Sequence, residues 1–385
     1  MSPGAEVTLA DLERDPYPVL ARLRADEPVA WVPALGVHLV TRHDLALSVL
    51  RDARTFTVDD PRFSTARVVG PSMLSLDGAA HARHRRPFSA AFRPAEIAER
   101  FAGFVEAEAD RLVAALLPAG TAELRRGLAG PLSVAVVAEA LGLDDTDAGT
   151  VLGWYDAIVR AVADLTAGRE PGPDGAAAFA GLRTHVEATL EGRRSASLLV
   201  DAASRDGGLR TPEVVSNAAV LMFGGIETTE GMIANAARHL LDDAGLPELV
   251  RADPGLLPAA VEESLRLEPA AAMVDRYATR DVELGGAVIR RGEPVTVSIT
   301  AANRDPAVFA EPDAFRLGRE NVRRHLAFAH GPHFCLGMDL ARLETVVALR
   351  TLLDRMPGLR LDPDSPRGAR GLVFRKPVAV RVRWD

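Results

Sequence analysis

The feature that most restricts how this chain can fold is an unbroken helical pattern over residues 212–243, well beyond the usual length of a globular helix. Its ends are marked: Thr211 is placed to cap it, Pro212 suits a first helical position, and Gly245 follows the last turn. Helical periodicity recurs at 94–117, 132–141, 178–193, 258–267 and 336–355. Strand signals are confined to 29–40 and to VELGGAVIRRGEPVTVSI at 282–299, where Gly285-Gly286 and Arg291-Gly292 mark tight turns between short alternating runs. No repeat, low-complexity tract or Gly/Ser/Pro-rich linker divides the chain. The expectation is a mainly α fold with minor β sheets, organised as a single domain over residues 1–385.

Charge and cysteine usage restrict the function. A formal charge of -8 argues against a nucleic-acid partner, which calls for a basic surface. The opening MSPGAEVTLADLERDPYPVL lacks the basic and apolar regions of a secretory signal, and no apolar run approaches the roughly 20 residues that span a bilayer. With one cysteine no internal disulfide can form, which suits a reducing compartment. A cytoplasmic protein with no membrane partner is expected. Lys376 is the only lysine, so 44 of the 45 basic residues are arginine, the codon usage of a GC-rich bacterial genome.

Two local features carry chemistry. Gly224 and Gly225 interrupt the long helix, each costing about 1 kcal/mol relative to alanine. Either a second helix packs closely on them, or a ligand needs the space. Glu227, Thr228 and Thr229 follow directly, an acid and two hydroxyls suited to binding water or carrying protons. The second feature is FAHGPHFCLG at 328–337, which holds the sole cysteine, Cys335. A lone intracellular cysteine is ordinarily a buried, inert thiol. Here Gly331 and Gly337 bracket it and allow a turn that directs amide N–H groups at the sulfur, while Phe328 and Phe334 supply apolar cover. Such a loop suits a metal-ligating thiolate. Zinc needs three further good ligands, whereas haem iron accepts a single thiolate, whose electron push favours O–O cleavage.

These residues together resemble the cytochrome P450 haem-thiolate monooxygenases of the soluble bacterial type. The family's pattern of Phe, two residues, Gly, one residue, His or Arg, one residue, Cys, one residue, Gly is met by Phe328, Gly331, His333, Cys335 and Gly337. GGIETT at 224–229 is similar to the signature of the oxygen-binding helix, and Glu263 and Arg266 in EESLR match the family's helical Glu-x-x-Arg pair. HARHR sets His81 and Arg85, and VDRYAT sets Arg276, at haem-propionate positions; ANRDPAVFAEPDAF at 302–315 resembles the segment leading into the haem loop. The resemblance runs from about Asp15 to the C-terminus. Three positions depart from it: Ala329 where glycine is usual, Ile226 where a polar residue is common, and Ala314, which leaves Arg316 or Arg319 to complete the Glu-Arg pair.

The resemblance implies a cytochrome P450 fold, one haem-containing domain, with haem b held by Cys335 on the iron and by Phe328, Gly337, Gly224 and Gly225 around it. His81, Arg85, Arg276 and His333 are suited to neutralise two buried propionates. Thr228 and Glu227 are the catalytic pair, a proton-managing hydroxyl and a relay to solvent. Met73, Ile226 and Val274, from the segments 57–73, 221–226 and 270–274, are nominated for a largely apolar substrate pocket, together with the turn at 371–374. The implied function is oxidation, foremost hydroxylation, of a small organic molecule in bacterial specialised metabolism, using O2 and two electrons from NAD(P)H. With no Gly-rich dinucleotide fingerprint after a strand, electrons arrive through a ferredoxin and its reductase, docking near Arg83, Arg86, Arg323, Arg324 and Arg342 on a monomer. Oxidative coupling or desaturation uses the same oxidant, so these stay open. A non-catalytic binding relative is disfavoured by Cys335, Glu227 and Thr228.

Overall fold

The helical periods are realised as Pro94–Leu116, Gly130–Leu141, Pro173–Glu191, Thr211–Asp242, Leu257–Leu267 and Met338–Arg355. The computed structural model describes residues 2–143, 146–166, 169–192, 197–204 and 208–385; Arg193, the expected end of the 178–193 helix, lies outside them. That helix starts five residues early because Gly172 and Pro173 set its first turn. The long helix begins with Thr211 itself, so Thr211 is not its cap. Glu213 instead reaches back and accepts the Arg210 N–H at 2.9 Å, covering an amide that the helix leaves over.

The packing divides into two compact units. The first comprises residues up to Thr57, Ala109–Ala129 and Thr228–Asp385; the second comprises Val58–Glu108 and Gly130–Glu227. The division falls inside the long helix.

The first unit holds the sheets. Its main sheet runs in the order Val29–Val32, Val37–Val40, Pro294–Ser298, Met273–Ala278, Phe56–Thr57. Val37–Val40 pairs in parallel with Pro294–Ser298, in the register Leu39 to Thr296, and the other pairings are antiparallel. The 29–40 and 282–299 runs thus meet in one sheet. Gly285 and Gly286 form a two-residue hairpin turn at φ +55 and +85, the two positive angles such a turn requires. Helix His43–Arg51 covers this sheet with Ala46, Val49 and Leu50, which share a core with Val40, Val295, Val297 and Leu326. Leu326 therefore anchors the chain just before the FAHGPHFCLG loop.

The second unit is helical. Ala148–Thr166 and Pro173–Glu191 pack so closely that a Cβ on Gly181 would stand 2.7 Å from the Trp154 indole nitrogen. Ser64–Val69 rests against both, and the Thr166 hydroxyl reaches Ser64 at 3.0 Å. Among the described residues no helix is long and apolar enough to cross a membrane.

Candidate functional site

In the first unit the loop around Cys335 is fixed from both ends. The Cys335 N–H donates to the Phe328 carbonyl at 2.9 Å, which closes it. Gly331 has φ +72, and a Cβ there would lie 2.4 Å from the Leu50 carbonyl oxygen, so only glycine lets the His43–Arg51 helix approach. Ala329 is also left-handed, at φ +56, at the position where glycine is usual; the strain costs about 1 kcal/mol. Gly337 does not share this need. Its φ is -89, open to any residue, and it precedes the helix Met338–Arg355.

Phe328 is buried and carries the Arg342 guanidinium over its ring at 4.6 Å. Phe334 is exposed, its ring 6.1 Å from that of His330. Cys335 is exposed too. Beside it, His330 accepts the Gly331 N–H at 2.8 Å, and burial, with the charges of Arg51 and His43, holds its imidazole below the usual range.

The same unit holds a largely buried ion cluster. Arg266 donates Nε and Nη2 to the two Glu263 oxygens at 2.9 and 2.8 Å, with Glu263 only 1% and Arg266 0% exposed. Arg319 Nε donates to the same carboxylate at 3.0 and 3.1 Å, whereas Arg316 contributes only its backbone N–H and turns its side chain to Glu311. Arg319 is therefore the third member. Ala314 takes part through its carbonyl, which accepts from Arg266 at 2.9 Å and from Arg319 at 3.2 Å.

A neighbouring cluster corrects the expected basic patch. Arg342 donates to both oxygens of Glu262 at 2.6 and 3.1 Å, and His325 contacts the same carboxylate at 3.1 Å. Burial pushes Glu262 upward, but His325 and Arg342 outweigh it and hold the carboxyl down at about 2. In the second unit Arg83 donates to Glu213 at 2.5 and 3.1 Å. The charges of Arg342 and Arg83 are thus neutralised inside their own units, while Arg86, Arg323 and Arg324 are exposed.

Of the other nominated residues in the first unit, Arg276 is buried on strand Met273–Ala278 and donates to the Asp275 carbonyl at 2.7 Å. Val274 is half-buried on the same strand, His333 is half-buried in the loop, and Thr228 is half-buried on the long helix. Two residues beyond Thr228 the sequence hid a further feature. Glu230, buried, pairs with Arg125 at 2.7 Å and with the only lysine, Lys376, at 2.5 Å. Reading 227–229 as the polar end of the motif stopped one residue short of it.

In the second unit His81 and Arg85 stand one turn apart on Gly78–Ser89, His81 buried and Arg85 half-buried. The two glycines differ in what surrounds them. A Cβ on Gly225 would lie 2.5 Å from the Val137 methyl of helix Gly130–Leu141, which makes it a packing glycine. A Cβ on Gly224 would meet nothing within 4 Å, leaving open space in mid-helix. Ile226 and Glu227 after it are buried, as is Met73.

The site residues fit a haem. The chain's single thiol stands on a glycine-shaped loop, the nominated propionate partners are cationic or imidazole groups, and the long helix is bare at Gly224.

Comparison with known proteins agrees. A family model described as Cytochrome P450 matches residues 187–357. Nocardicin C N-oxygenase of Nocardia uniformis subsp. tsuyamanensis is 36% identical, with 96% of each chain covered. Cytochrome P450 monooxygenase PikC of Streptomyces venezuelae is 35% identical over 97% of this chain and 92% of its own. Among solved structures, that of CalO2 superposes with a TM-score of 0.88 at 31% identity, covering 100% of this chain and 98% of that one.

Proposed function

The chain belongs to the cytochrome P450 family and is a haem-iron monooxygenase, and from that premise we propose that it oxidises, foremost by hydroxylation, a mainly apolar small molecule in bacterial specialised metabolism. The observation that carries this reading is the sole thiol, Cys335, on a loop closed by its own N–H to the Phe328 carbonyl and held against the Leu50 carbonyl at Gly331. Support comes from the relative Nocardicin C N-oxygenase, whose name gives nocardicin C as the molecule oxidised. Residues 1–385 act as one haem-containing domain, working as a monomer in the cytoplasm.

Haem b held by a thiolate supplies dioxygen activation, in which two electrons and two protons send one oxygen atom into the substrate and the other into water. The protein's own residues hold the group and manage the protons. Cys335 would supply the thiolate ligand to the iron, with Phe328 and Gly337 beside it in the loop. His81, Arg85, Arg276 and His333 neutralise the two propionates, whose burial unpaired costs several kcal/mol. The bare backbone at Gly224 would leave room beside a bound haem, while Gly225 is taken up by packing against Val137. The Thr228 hydroxyl holds a proton there, and the Glu227 carboxylate passes protons inward from solvent. Met73, Ile226 and Val274 line the substrate's apolar surroundings.

Thr228→Ala tests the proton role. It is expected to keep haem and ligand-induced spectral changes while product per NAD(P)H falls severalfold and peroxide rises to match. Unchanged coupling would move the role to another group, with Thr229 next to be substituted.

Electrons come from a redox partner, which we take to be an acidic ferredoxin served by its reductase. Support comes from Arg323 and Arg324, exposed on the turn Val322–Arg324 that leads into the Cys335 loop. Exposed charge of this kind steers encounter more than it adds affinity, and salt screens it. Reversing both, Arg323→Glu with Arg324→Glu, is expected to slow ferredoxin-supported turnover several-fold at low salt and to flatten its salt dependence, with substrate binding unchanged. Turnover insensitive to both the charges and the ionic strength would remove this docking site.

A further inference from the structure

Within the second unit, a segment that carries a nominated pocket residue is held by side chains to which no role has yet been given. The helix Ser64–Val69 ends at Gly70, whose φ of +81 turns the chain onto the long helix; a Cβ there would stand 3.0 Å from the Ser216 hydroxyl. Ser72 and Met73 follow, both buried. The Met73 N–H donates to Asn217 Oδ1 at 2.9 Å. Asn217 is 0% exposed, and its amide nitrogen donates to the Glu213 carbonyl at 2.7 Å and to His84 Nδ1 at 3.0 Å. Both donors and the acceptor oxygen of this one side chain are thus engaged, with three parts of the unit: the 70–73 segment, the helix Gly78–Ser89 and the long helix itself.

We propose that Asn217 is a positioning residue for substrate binding: its amide latches the 70–73 segment onto the long helix and so sets where Met73 stands in the pocket. The proposal rests on the reading of Met73 as a pocket residue. Met73 is held through its backbone N–H, and a buried amide gives the segment one seat where a purely apolar contact would let it slide. A lost bond at such a site also strands a buried partner, which costs more than the bond gains.

The latch needs a neutral His84. Two donors face the ring, the Asn217 amide at Nδ1 (3.0 Å) and the Arg83 guanidinium at Nε2 (3.2 Å); the neutral ring accepts from one of them, and a proton on both nitrogens would set N–H against both donors. The groups around the ring are Arg83 at 3.2 Å from Nε2, Glu213 at 3.9 Å and, pairing with Glu213, Arg210. Burial first and the Arg83 charge second lower the His84 pKa, with Glu213 opposing.

Amide hydrogen exchange at Met73, in the haem-loaded protein without substrate, tests the latch directly. Asn217→Leu is expected to speed Met73 exchange about tenfold or more, the scale of losing one hydrogen bond to local opening. In optical titrations the same variant should shift the ratio of 4-phenylimidazole to imidazole affinity at least about threefold, since only the larger probe reports on the pocket wall. Asn217→Asp keeps the acceptor for Met73 but cannot donate to a neutral His84, so it is expected to preserve most Met73 protection while raising the His84 pKa by NMR. That pairing of outcomes supports a specific latch, and it is the readout to use if Asn217→Leu fails to fold. Met73 protection unchanged in Asn217→Leu, or lost equally in both variants, overturns the latch. Protection lost with an unmoved affinity ratio overturns the positioning role. Failure of the haem-thiolate reading would appear separately, in the wild-type spectrum, and leaves the exchange comparison intact.

Discussion

Cys335→Ala is expected to abolish monooxygenase turnover, a loss of more than about a thousandfold, and to remove the strongly red-shifted Soret band that reduced wild-type protein shows under carbon monoxide. The chain has no second thiol to take over the ligand role. The geometry adds a reason why the loop itself should survive. Cys335 takes part in loop closure through its backbone N–H to the Phe328 carbonyl, and Gly331 and Ala329 set the loop's turns through their own φ values. None of these depends on sulfur. Loss of the band without loss of fold, read by circular dichroism beside the optical spectrum, is thus the specific outcome. A histidine-type spectrum in the wild-type protein would contradict the ligand assignment outright, and a band that persists in Cys335→Ala would do the same.

Much of this loop was readable from residue types, and the exceptions have physical causes. Gly331 announced a backbone need, and the structure supplies it as the Leu50 carbonyl pressing on its α-carbon. Gly337 looked equivalent in the sequence but has an ordinary φ, because a glycine may be selected for space as readily as for dihedral freedom. The same ambiguity ran through Gly224 and Gly225, where only the packed structure assigns Val137 to one and open space to the other. Helix Ala148–Thr166 could have been found: Val151, Tyr155 and Ile158 carry the buried spacing. Helix Gly78–Ser89 could not, since it is rich in His and Arg, contains Pro87 and owes its place to tertiary contacts. The parallel pairing of Val37–Val40 with Pro294–Ser298 joins segments more than two hundred residues apart, a distance over which pattern reading says nothing about partners. Long polar contacts were the least legible. Arg316 and Arg319 are equal candidates in the sequence, and Arg83 and Arg342 look like surface charge until Glu213 and Glu262 are seen beside them.

The Glu263 cluster should carry the largest stability effect. Glu263 accepts from Arg266 and Arg319 at once, and burial leaves no water to replace it. Glu263→Gln keeps the shape but sets two guanidinium groups around a neutral amide that offers one acceptor oxygen. Breaking a buried pair by removing one partner costs roughly 3–5 kcal/mol, and here two cations lose the same partner, so the upper end applies. Against a total stability of about 5–15 kcal/mol, that is enough to leave much of the protein unfolded or without haem at 37 °C. The arginines separate specific pairing from general disruption. Arg319→Ala removes one of the two cations and leaves Arg266 bidentate on Glu263, so it is expected to cost about 2–3 kcal/mol, the scale of a charge-assisted hydrogen bond with buried partners. Arg316→Ala should cost less than about 0.5 kcal/mol, because the Arg316 side chain is exposed against Glu311 and the backbone N–H that reaches Glu263 survives the substitution. Urea unfolding of the three variants and the wild type, followed by both the Soret band and circular dichroism, should therefore rank them Glu263→Gln, Arg319→Ala, Arg316→Ala in order of loss. If Arg316→Ala proved as damaging as Arg319→Ala, the assignment of Arg319 as the third member of the cluster would fall, and the carboxylate would have to be held by a different arrangement from the one described.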